Sequence, residues 1–569
     1  MHIYSVLIIG GGPAGLALAA RLHEHTPSAT FTDDEHQRYH WLRKHGARIP
    51  IKNYRTNVDS LPTPPSTLGS SDCGCDTKAK SGLNEIDMLV LDADGEDWMT
   101  RWKRLFTCFG ITHLRSPMFF HIDPADRDGL LRYTYERGRE GDLLALPGCA
   151  GKEVSKHHKK KKMGRVRAKV SQSGPDVDER DRKDYFTPVT DLFERHCESV
   201  VERYGLKKGI LRQERVVGIE YDWLGVFREE EGGSDDGGED EEDERKVFRV
   251  TTDKGVRYAH VVVLAIGPGN APTIPQVIGL PTPSSSHEGY SHAMHLKRFP
   301  PPHVEAKIRN HAPTNILIVG GGLTSIQLAD LAIKRGVSKV WLLMRGSVKV
   351  KYFDIDLDWV GKFRNFNQAA FWSADSDEER LQMYLHARNG GSITPRYRKI
   401  LNEHVATGKI SLHTHMTLYS VQYDTDTQTW VPVTTTPPIS LSPIDFIVFA
   451  TGVQSDIEKL SFLDHIRDKY PIEYVGGLPC LNDDLMWNDE VPLFFNGRFA
   501  GLRLGPGAPN LVGCRIGAER IAWNVKDALN RVSRGDSEVE NGAPDDDKLT
   551  EFAAGRRNRF DSLVEVSDP

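Results

Sequence analysis

Two glycine-rich turns carry the residue spacing that binds phosphate groups, and each follows a run of aliphatic residues. In the first, Gly10 allows a tight turn out of a strand, Gly12 lets the backbone approach a pyrophosphate, and Gly15 lets a helix pack closely on the sheet. Pro13 and Ala14 begin that helix, whose N-terminus supplies free N–H groups and partial positive charge. We therefore expect this turn to bind a dinucleotide; the alternative is a strand–turn–helix connection without a ligand.

The second turn repeats the pattern later in the chain. Gly320 and Gly322 follow the run Ile316–Val319, and Thr324 and Ser325 lie at the start of the next apolar helix. Ser325 stands where the third glycine of the pattern is expected, which leaves the interpretation unchanged. Two such turns predict a protein that holds two dinucleotides at once, as is needed to pass electrons from a nicotinamide to a flavin.

The residue that ends the next strand is expected to distinguish the two sites. After the first turn, the run Ala29–Thr32 leads into Asp33 and Asp34, and a carboxylate there accepts hydrogen bonds from a ribose diol. After the second turn, Lys339–Met344 leads into Arg345, whose guanidinium suits a 2′-phosphate; the alternative is a solvated charge at a strand end. The first site is thus predicted to bind the ADP half of FAD, and the second to prefer NADPH over NADH.

The 569 residues can form two or three domains with substantial cores, and 39% hydrophobic residues suit a soluble α/β protein. The net charge of −6 sums separate blocks, since residues 156–169 are strongly basic whereas 229–244 and 534–569 are acidic. Because these blocks bury little apolar surface, we expect two solvated inserted loops and a disordered tail. The basic run could mark a nuclear-import or nucleic-acid patch, but it lacks interleaved aromatic residues, so no nucleic-acid partner is expected.

Cysteine usage and the absence of long apolar runs indicate the compartment. Seven cysteines at irregular spacing do not form a secreted disulfide framework. The first strand begins within a few residues of Met1, leaving no room for a cleavable signal, and no run reaches the ~20 apolar residues of a membrane span. We expect a cytoplasmic protein without a membrane span. No metal site is expected, because Cys73 and Cys75 lack further ligands at suitable spacing.

The two dinucleotide domains are predicted to be nested. An FAD-binding domain over 1–312, which includes both charged loops, precedes an NADPH-binding domain over 313–444, and 445–533 returns to the first domain. The strand ends Leu264–Gly267 and Phe449–Gly452 look like corresponding points of two related halves. The predicted fold class is therefore α/β, with two Rossmann-like βαβ domains and the NADPH domain inserted into the FAD domain.

The chain resembles the two-dinucleotide-binding flavoprotein superfamily. The resemblance is based on both glycine turns, on Arg345 and on the element Asp445–Gly452. Within this superfamily, the chain resembles the FAD- and NADPH-dependent monooxygenases that include the flavin-containing and the ornithine/lysine N-hydroxylating enzymes. The resemblance extends to about Trp523 and implies that NADPH reduces the flavin. A C4a-hydroperoxyflavin formed with O2 would then oxygenate a nitrogen or sulfur of a small-molecule substrate.

The resemblance also implies where the cofactors and the substrate lie. It places Val217 beside the adenosine of FAD and the start of the helix after Asn510 and Leu511 beside the flavin ring, where its N–H groups would stabilise negative charge on reduced flavin. The turn formed by Ala450, Thr451 and Gly452 is expected to contact a cofactor. A simple loop before a surface helix is the alternative at Asn510.

Four polar residues in an apolar segment are candidates for contact with the substrate or an anion. They are His113, Arg115, Ser116 and His121. A single histidine in such a setting is more often a structural residue with satisfied hydrogen bonds, so a structural role stays open for each. No acid–base pair is recognisable, and flavin oxygenation needs few catalytic groups from the protein.

Two other functions remain open at this stage. A disulfide reductase shares the two-domain plan but needs a thiol pair near the flavin, and the chain contains only Cys73 and Cys75 at close spacing. A redox-responsive regulatory protein would bind both cofactors with little turnover, and fold alone does not separate it from an enzyme. Oligomerisation is possible on this sequence.

Overall fold

The computed structural model describes residues 1–24, 86–146, 149, 185–207, 209–230, 245–269, 272–281, 289–360 and 364–534. The chain divides into two compact units, and the larger, Met1–Glu24 with Met88–Gly535, contains the helices and strands given below. Asp33, Asp34 and the basic loop 156–169 lie outside the described residues. So do all but the first two residues of the acidic loop 229–244 and all but the first residue of the tail 534–569.

Short strands make up the sheets and hairpins of the described residues. They are β1 (Ile3–Ile9), β2 (Met88–Asp92), β3 (Leu143–Leu144), β4 (Thr187–Pro188), β5 (Leu211–Gln213), β6 (Val216–Trp223), β7 (Lys246–Thr252), β8 (Gly255–Leu264), β9 (Tyr290–His292), β10 (Asn315–Val319), β11 (Lys339–Met344), β12 (Ile410–Thr414), β13 (Thr417–Asp424), β14 (Thr429–Thr436), β15 (Phe446–Phe449), β16 (Tyr474–Val475), β17 (Leu478–Pro479) and β18 (Leu493–Phe495).

Helices connect and cover these strands. They are α1 (Pro13–Leu22), α2 (Thr100–Cys108), α3 (Gly129–Glu136), α4 (Thr190–Arg203), α5 (Leu224–Glu230), α6 (Pro302–Arg309), α7 (Leu323–Lys334), α8 (Arg364–Trp372), α9 (Asp377–Arg388), α10 (Pro395–Ala406), α11 (Asp464–Lys469), α12 (Gly501–Leu504) and α13 (Leu511–Arg534).

The first sheet has a parallel core in the order β5-β2-β1-β8. The C-terminal half of β8 also pairs in parallel with β18, and its N-terminal half pairs with the antiparallel hairpin β6–β7. Residues Val6–Ile9 of β1 and Val261–Leu264 of β8 are buried. Such continuous apolar runs are typical of parallel strands covered on both faces.

Among the described residues, the next strand after the first glycine turn is β2. It pairs in parallel with one edge of β1, with Val6 opposite Met88 and Ile9 opposite Leu91, while β8 occupies the other edge. Both edges of β1 are therefore taken by described strands. Since α1 ends at Leu22, a long segment of the chain intervenes between α1 and β2.

The second sheet is wholly parallel, in the order β12-β11-β10-β15-β9. Its strands lie in the chain between β8 and β18 of the first sheet, which confirms the α/β fold with one Rossmann-like unit inserted into the other. The sheet includes β9 at 290–292 and β15 at 446–449, so its strands extend beyond the predicted limits 313 and 444 on both sides. The domain limits themselves stay a prediction.

Each of the two glycine turns leads into a buried helix. Every residue of α1 from Ala14 to Leu22 is buried, and α7 is buried over Ser325–Asp330. The long helix α13 packs on α1, where Arg21 and Glu519 form an ion pair at 2.6 Å with both side chains nearly buried. The crossover helices of both βαβ units are thus largely buried, as their apolar sequences predict. In the described part of the chain, no helix is both long and apolar enough to cross a membrane.

Candidate active site

A large cavity lies at the carboxyl ends of the parallel strands of the first sheet, the edge where dinucleotides bind in this kind of fold. Its volume is about 750 Å³, and its walls include the ends of β1 and β2 and the residues after β8. The predicted site residues that line it are Gly10, Gly12, Pro13, Ala14, Arg115, Ser116, Gly452, Asn510 and Leu511.

The first glycine turn forms one wall, and each glycine has a distinct steric reason. Gly10 has φ +116°, and a Cβ there would lie 2.5 Å from the carbonyl oxygen of Ala265. A Cβ on Gly15 would lie 1.9 Å from the carbonyl oxygen of Gly10, whereas one on Gly12 would meet nothing within 4 Å. The turn therefore requires Gly10 and Gly15 for its own geometry, while Gly12 leaves open space in front of α1.

The N-terminus of α1 has the donors of an anion site. Gly12 is its N-cap, no side chain caps it, and Pro13 occupies the first turn. The first N–H groups of a helix have no partner within the helix, and its dipole is positive at this end. Gly12 and Ala14 line the cavity, so their backbone N–H groups lie where they could donate hydrogen bonds to an anionic group; Pro13, which also lines it, has no N–H to donate.

A carboxylate that the sequence interpretation missed lies beside this turn. Asp92 ends β2 and lines the cavity, and its Oδ2 accepts a hydrogen bond from the Gly11 N–H at 2.6 Å. Its Oδ1 accepts a hydrogen bond from the Asp94 N–H at 2.7 Å. Among the described residues, Asp92 holds the strand-end position that was predicted for Asp33 and Asp34. The signal in the sequence was the apolar run Met88–Leu91 directly before it.

Arg115 lines the cavity but is already engaged. Its guanidinium donates to the carbonyl oxygens of residues 351–353 at 2.5 to 3.2 Å and to Ser392 Oγ at 2.8 Å. Burial lowers the pKa of Arg115 to about 10, so the side chain keeps its charge at neutral pH. Arg115 thus ties the segment Thr112–Pro117 to the loop after β11, and neighbouring Ser116 faces the cavity without an assigned hydrogen bond in the described structure.

The two histidine candidates do not line the cavity. His113 is partly exposed, its Nδ1 lies 3.0 Å from Thr112 Oγ1, and burial together with nearby Arg396 lowers its pKa. His121 is fully buried, and its Nε2 lies 2.8 Å from the carbonyl oxygen of Arg127. Burial, followed by the charge of Arg515, lowers the pKa of His121 well below its usual value. The structure therefore supports the structural reading of His121.

Asn510 and Leu511 lie where α13 begins, opposite the first glycine turn. The Nδ2 group of Asn510 is buried and has no hydrogen-bond partner in the described part of the protein. Asn496, which follows β18, donates from Nδ2 to the carbonyl oxygens of Ala14 and Cys514 at 3.0 and 3.1 Å. One amide thereby fixes the start of α1 against the first turns of α13, so that both helices begin at the cavity.

The second glycine turn has the same construction as the first. Gly320 has φ +150°, and a Cβ there would lie 2.3 Å from the carbonyl oxygen of Ala450. No side chain caps α7 at Gly322; Ser325 Oγ donates to the Gly322 carbonyl at 2.6 Å, and Thr324 in the first turn is half-buried. Gly10 against Ala265 and Gly320 against Ala450 thus occupy equivalent positions in the two sheets.

Arg345 follows β11 directly and is exposed, with no hydrogen bond or ion pair to any described residue. Nearby, Lys349 Nζ donates to Asn389 Oδ1 at 2.8 Å, and Lys351 Nζ lies 2.9 Å from Asp356 Oδ1. Of these three cations, Arg345 is therefore the one whose side chain has no partner among the described residues and could bind a ligand.

The remaining predicted contacts are distributed over the two sheets. Gly452 lines the cavity, whereas Thr451 is exposed and its hydroxyl donates to the carbonyl oxygen of Thr273. Val217 is 52% exposed and does not line the cavity; Val216 does. Of these two neighbours in β6, Val216 is thus the one that faces the cavity.

Several charged residues of the cavity wall were not singled out from the sequence, among them Asp354, Arg388 and Arg498. Arg388 pairs with Asp354 at 2.8 Å, and Arg498 donates to the carbonyl oxygen of Val453 at 3.0 Å. They come from α9, the loop after β11 and the loop after β18. No local pattern marks them, because only the packing of these distant segments brings them together.

Comparisons with known proteins agree with this architecture. An ornithine hydroxylase from Pseudomonas aeruginosa is 15% identical with a TM-score of 0.55, covering 93% of this chain and 100% of that one. An FAD-bound cadaverine monooxygenase from Erwinia amylovora is 14% identical with a TM-score of 0.53, covering 96% and 100%. An ornithine N-hydroxylase from Kutzneria sp. 744, with reduced FAD, NADP+ and L-ornithine, is 12% identical with a TM-score of 0.55, covering 92% and 99%.

The chain has the fold of the N-hydroxylating flavin monooxygenases. No protein-family model and no curated protein matches the sequence. The fold relationship spans both sheets, since the matches cover more than nine tenths of this chain. In the described residues, no group of histidine, cysteine and acidic side chains could hold a metal ion.

Proposed function

We propose that the protein is an FAD- and NADPH-dependent monooxygenase that oxygenates a nitrogen or sulfur of a small molecule with O2. The observation that carries the proposal is the cavity of about 750 Å³, which extends from the uncapped start of α1 to residues that follow the second sheet, Gly452 and Val453. One continuous space is thus bordered by both dinucleotide units, which is what electron transfer between two dinucleotides requires.

The residues of the first unit fit FAD. The open space in front of Gly12 and the uncapped backbone N–H group of Ala14 suit its pyrophosphate, and the carboxylate of Asp92 suits the ribose. The unpartnered Nδ2 of Asn510 would donate to a polar atom of the flavin end. When bound, FAD supplies the chemistry: it accepts electrons from NADPH and activates O2.

The residues of the second unit suit NADPH. The start of α7 has no capping side chain, so its first backbone N–H groups could donate hydrogen bonds to a phosphate group. Arg345 would pair with the 2′-phosphate. Arg115 would hold the loop after β11 against the cavity, and Leu114, Phe120 and Phe353 would exclude water from it.

Amines are the first substrate class to test. The similar solved structures include enzymes named for ornithine, cadaverine and L-lysine, all of which carry a primary amine. Acidic and basic groups line the cavity together, since Asp354 pairs there with Arg388. Such a pair could orient a polar substrate through hydrogen bonds. The cytoplasmic location and any oligomeric state stay predictions.

A disulfide-type reductase is less well supported. Cys514 is the cysteine that lines the cavity among the described residues, and burial raises its pKa to about 12, so the thiol stays protonated. A reductase needs a thiolate and a second cysteine beside it. The close pair Cys73 and Cys75 lies outside the described residues.

The decisive experiment is spectroscopic. The purified protein, supplied with FAD, should be yellow, should bleach with NADPH under anaerobic conditions faster than with NADH, and should take up O2 when air is admitted. Coupling is then measured as hydroxylated product per NADPH with an amine panel. A protein that binds FAD but oxidises NADPH negligibly with every amine and thiol tried would instead be the redox-responsive regulatory protein.

A further inference from the structure

A second cavity of about 390 Å³ lies between the start of α2 and helix α4. It is separate from the large cavity, because only Met99 and Trp102 line both. Nothing in the proposed oxygenation uses this second cavity, and its lining differs from that of the cofactor site in both aromatic content and charge.

Tryptophans form the apolar side of the second cavity. Trp98 is 8% exposed, and its indole N–H donates to the carbonyl oxygen of Leu206 at 2.8 Å. Trp102 stacks on Phe106 with ring centroids 3.9 Å apart and lies 5.4 Å from Phe193. Both indoles are thus held by their neighbours, which presents rigid aromatic surface at little entropic cost to a ligand.

The polar side of the cavity is acidic. Four carboxylates line it, from Asp97, Glu194, Glu198 and Glu202, against two ammonium groups, from Lys103 and Lys207. The ammonium groups are occupied: Lys103 Nζ lies 3.1 and 3.0 Å from Glu194 and Glu198, and Lys207 Nζ lies 3.1 Å from Glu202. The lining therefore has a net negative charge, and neither lysine is free to bind an anion.

We propose that the second cavity binds a small organic cation with an apolar body, such as an arylalkylamine. The ammonium group would lie among the carboxylates of α4, and the apolar body would lie against Trp98 and Trp102. Indole rings offer large apolar surface to an aromatic or aliphatic body, and carboxylates attract an ammonium group through charge. Lys103 already shows this chemistry within the site, since its own ammonium bridges two of the carboxylates.

The test uses the full-length protein and phenethylamine as the probe, with 3-phenylpropionate as the anion of matched shape. Isothermal titration calorimetry should detect phenethylamine binding and none for 3-phenylpropionate. The double variant Glu198→Gln and Glu202→Gln should weaken phenethylamine binding about tenfold or more, since it removes charge next to the aromatic surface. Both side chains are more than half exposed, so the variant should keep the melting temperature of the unsubstituted protein.

The control variant Glu403→Gln alters an exposed carboxylate on α10 and should leave the affinity unchanged. Absence of phenethylamine binding, equal binding of 3-phenylpropionate, or full affinity in the double variant would each overturn the proposal. The proposed oxygenation would also place an amine in the large cavity. The double variant separates the two locations, because Glu198 and Glu202 line only the second cavity. Failure of NADPH oxidation would therefore leave this test unaffected.

Discussion

Asp92 Oδ2 accepts a hydrogen bond from the N–H of Gly11 at 2.6 Å, at the point where β2 ends beside the first glycine turn. The variant Asp92→Asn keeps an oxygen that can accept this hydrogen bond but loses the charge that a ribose diol would use. We expect FAD affinity to fall on the order of 10- to 100-fold, the range for a hydrogen bond to a charged group. Quenching of FAD fluorescence on titration with protein measures it. The exposed carboxylate variant Asp468→Asn should bind FAD normally, and equal affinity in Asp92→Asn would refute the assignment.

The glycines of the first turn should separate folding from cofactor binding. In Gly10→Ala, the new methyl group would meet the Ala265 carbonyl at 2.5 Å, so the melting temperature of the cofactor-free protein should fall. At Gly12, φ is −79° and an added methyl group would meet nothing within 4 Å. The cofactor-free Gly12→Ala variant should therefore keep the melting temperature of the cofactor-free unsubstituted protein. Both variants should lose FAD. If Gly12→Ala retained FAD at full affinity, the pyrophosphate could not lie in front of α1.

Arg345 is expected to set the choice of nicotinamide cofactor. Its exposed guanidinium has no hydrogen bond or ion pair to any described residue, so Arg345→Ala should leave the fold intact and raise the KM for NADPH roughly tenfold or more. The KM for NADH should change little, because NADH lacks the 2′-phosphate. Steady-state oxidation of both cofactors measures the effect. Lys339→Ala, at the opposite end of β11, should keep the preference for NADPH. A loss of both activities in parallel would contradict the assignment.

Buried histidines should make the fold sensitive to mild acid. His196 is fully buried, both ring nitrogens lack hydrogen-bond partners in the described structure, and burial lowers its pKa to about 4. The unfolded chain takes up a proton near pH 6.5 whereas the folded protein does not. The free energy of unfolding should therefore fall between pH 6.5 and about 4, by at most about 1.4 kcal/mol per pH unit for this residue.

Urea unfolding midpoints at pH 7.5 and 5.0 test this. His196→Leu should lose less stability between the two pH values than the unsubstituted protein, although buried His121, whose pKa is also lowered, will preserve part of the effect. The exposed His386→Leu should behave like the unsubstituted protein. An identical pH dependence for His196→Leu would show that His196 does not titrate in this range.

The sequence predicted the two βαβ units because their signals are local. Gly10 and Gly320 each follow an apolar strand and precede a buried helix, and this order is the local signal of a tight glycine turn. At both turns a Cβ would meet a backbone carbonyl oxygen, that of Ala265 or of Ala450. The nested order of the two units was also predictable, since the strands ending near Gly267 and Gly452 have similar sequences.

The sequence pattern pointed to Asp33 and Asp34, which lie outside the described residues, and did not single out Asp92. A βαβ pattern is expected to place the second strand soon after the first helix, whereas the described strand beside β1 is Met88–Asp92. His121 shows the other limit. Its sequence context is the same whether the imidazole faces a cavity or lies in the core beside Arg515, and only the packing of α13 decides between them.

The chain order of the strands has a consequence for how the protein emerges from the ribosome. The second sheet is built from strands between Tyr290 and Phe449, whereas the first sheet takes its last strand, β18, from Leu493–Phe495. During synthesis all strands of the second sheet therefore emerge before β18, so the second sheet can form first. The first sheet is completed later, because the edge of β8 that pairs with β18 stays open until Leu493–Phe495 has been synthesised. An open strand edge of this kind can mispair or bind a chaperone.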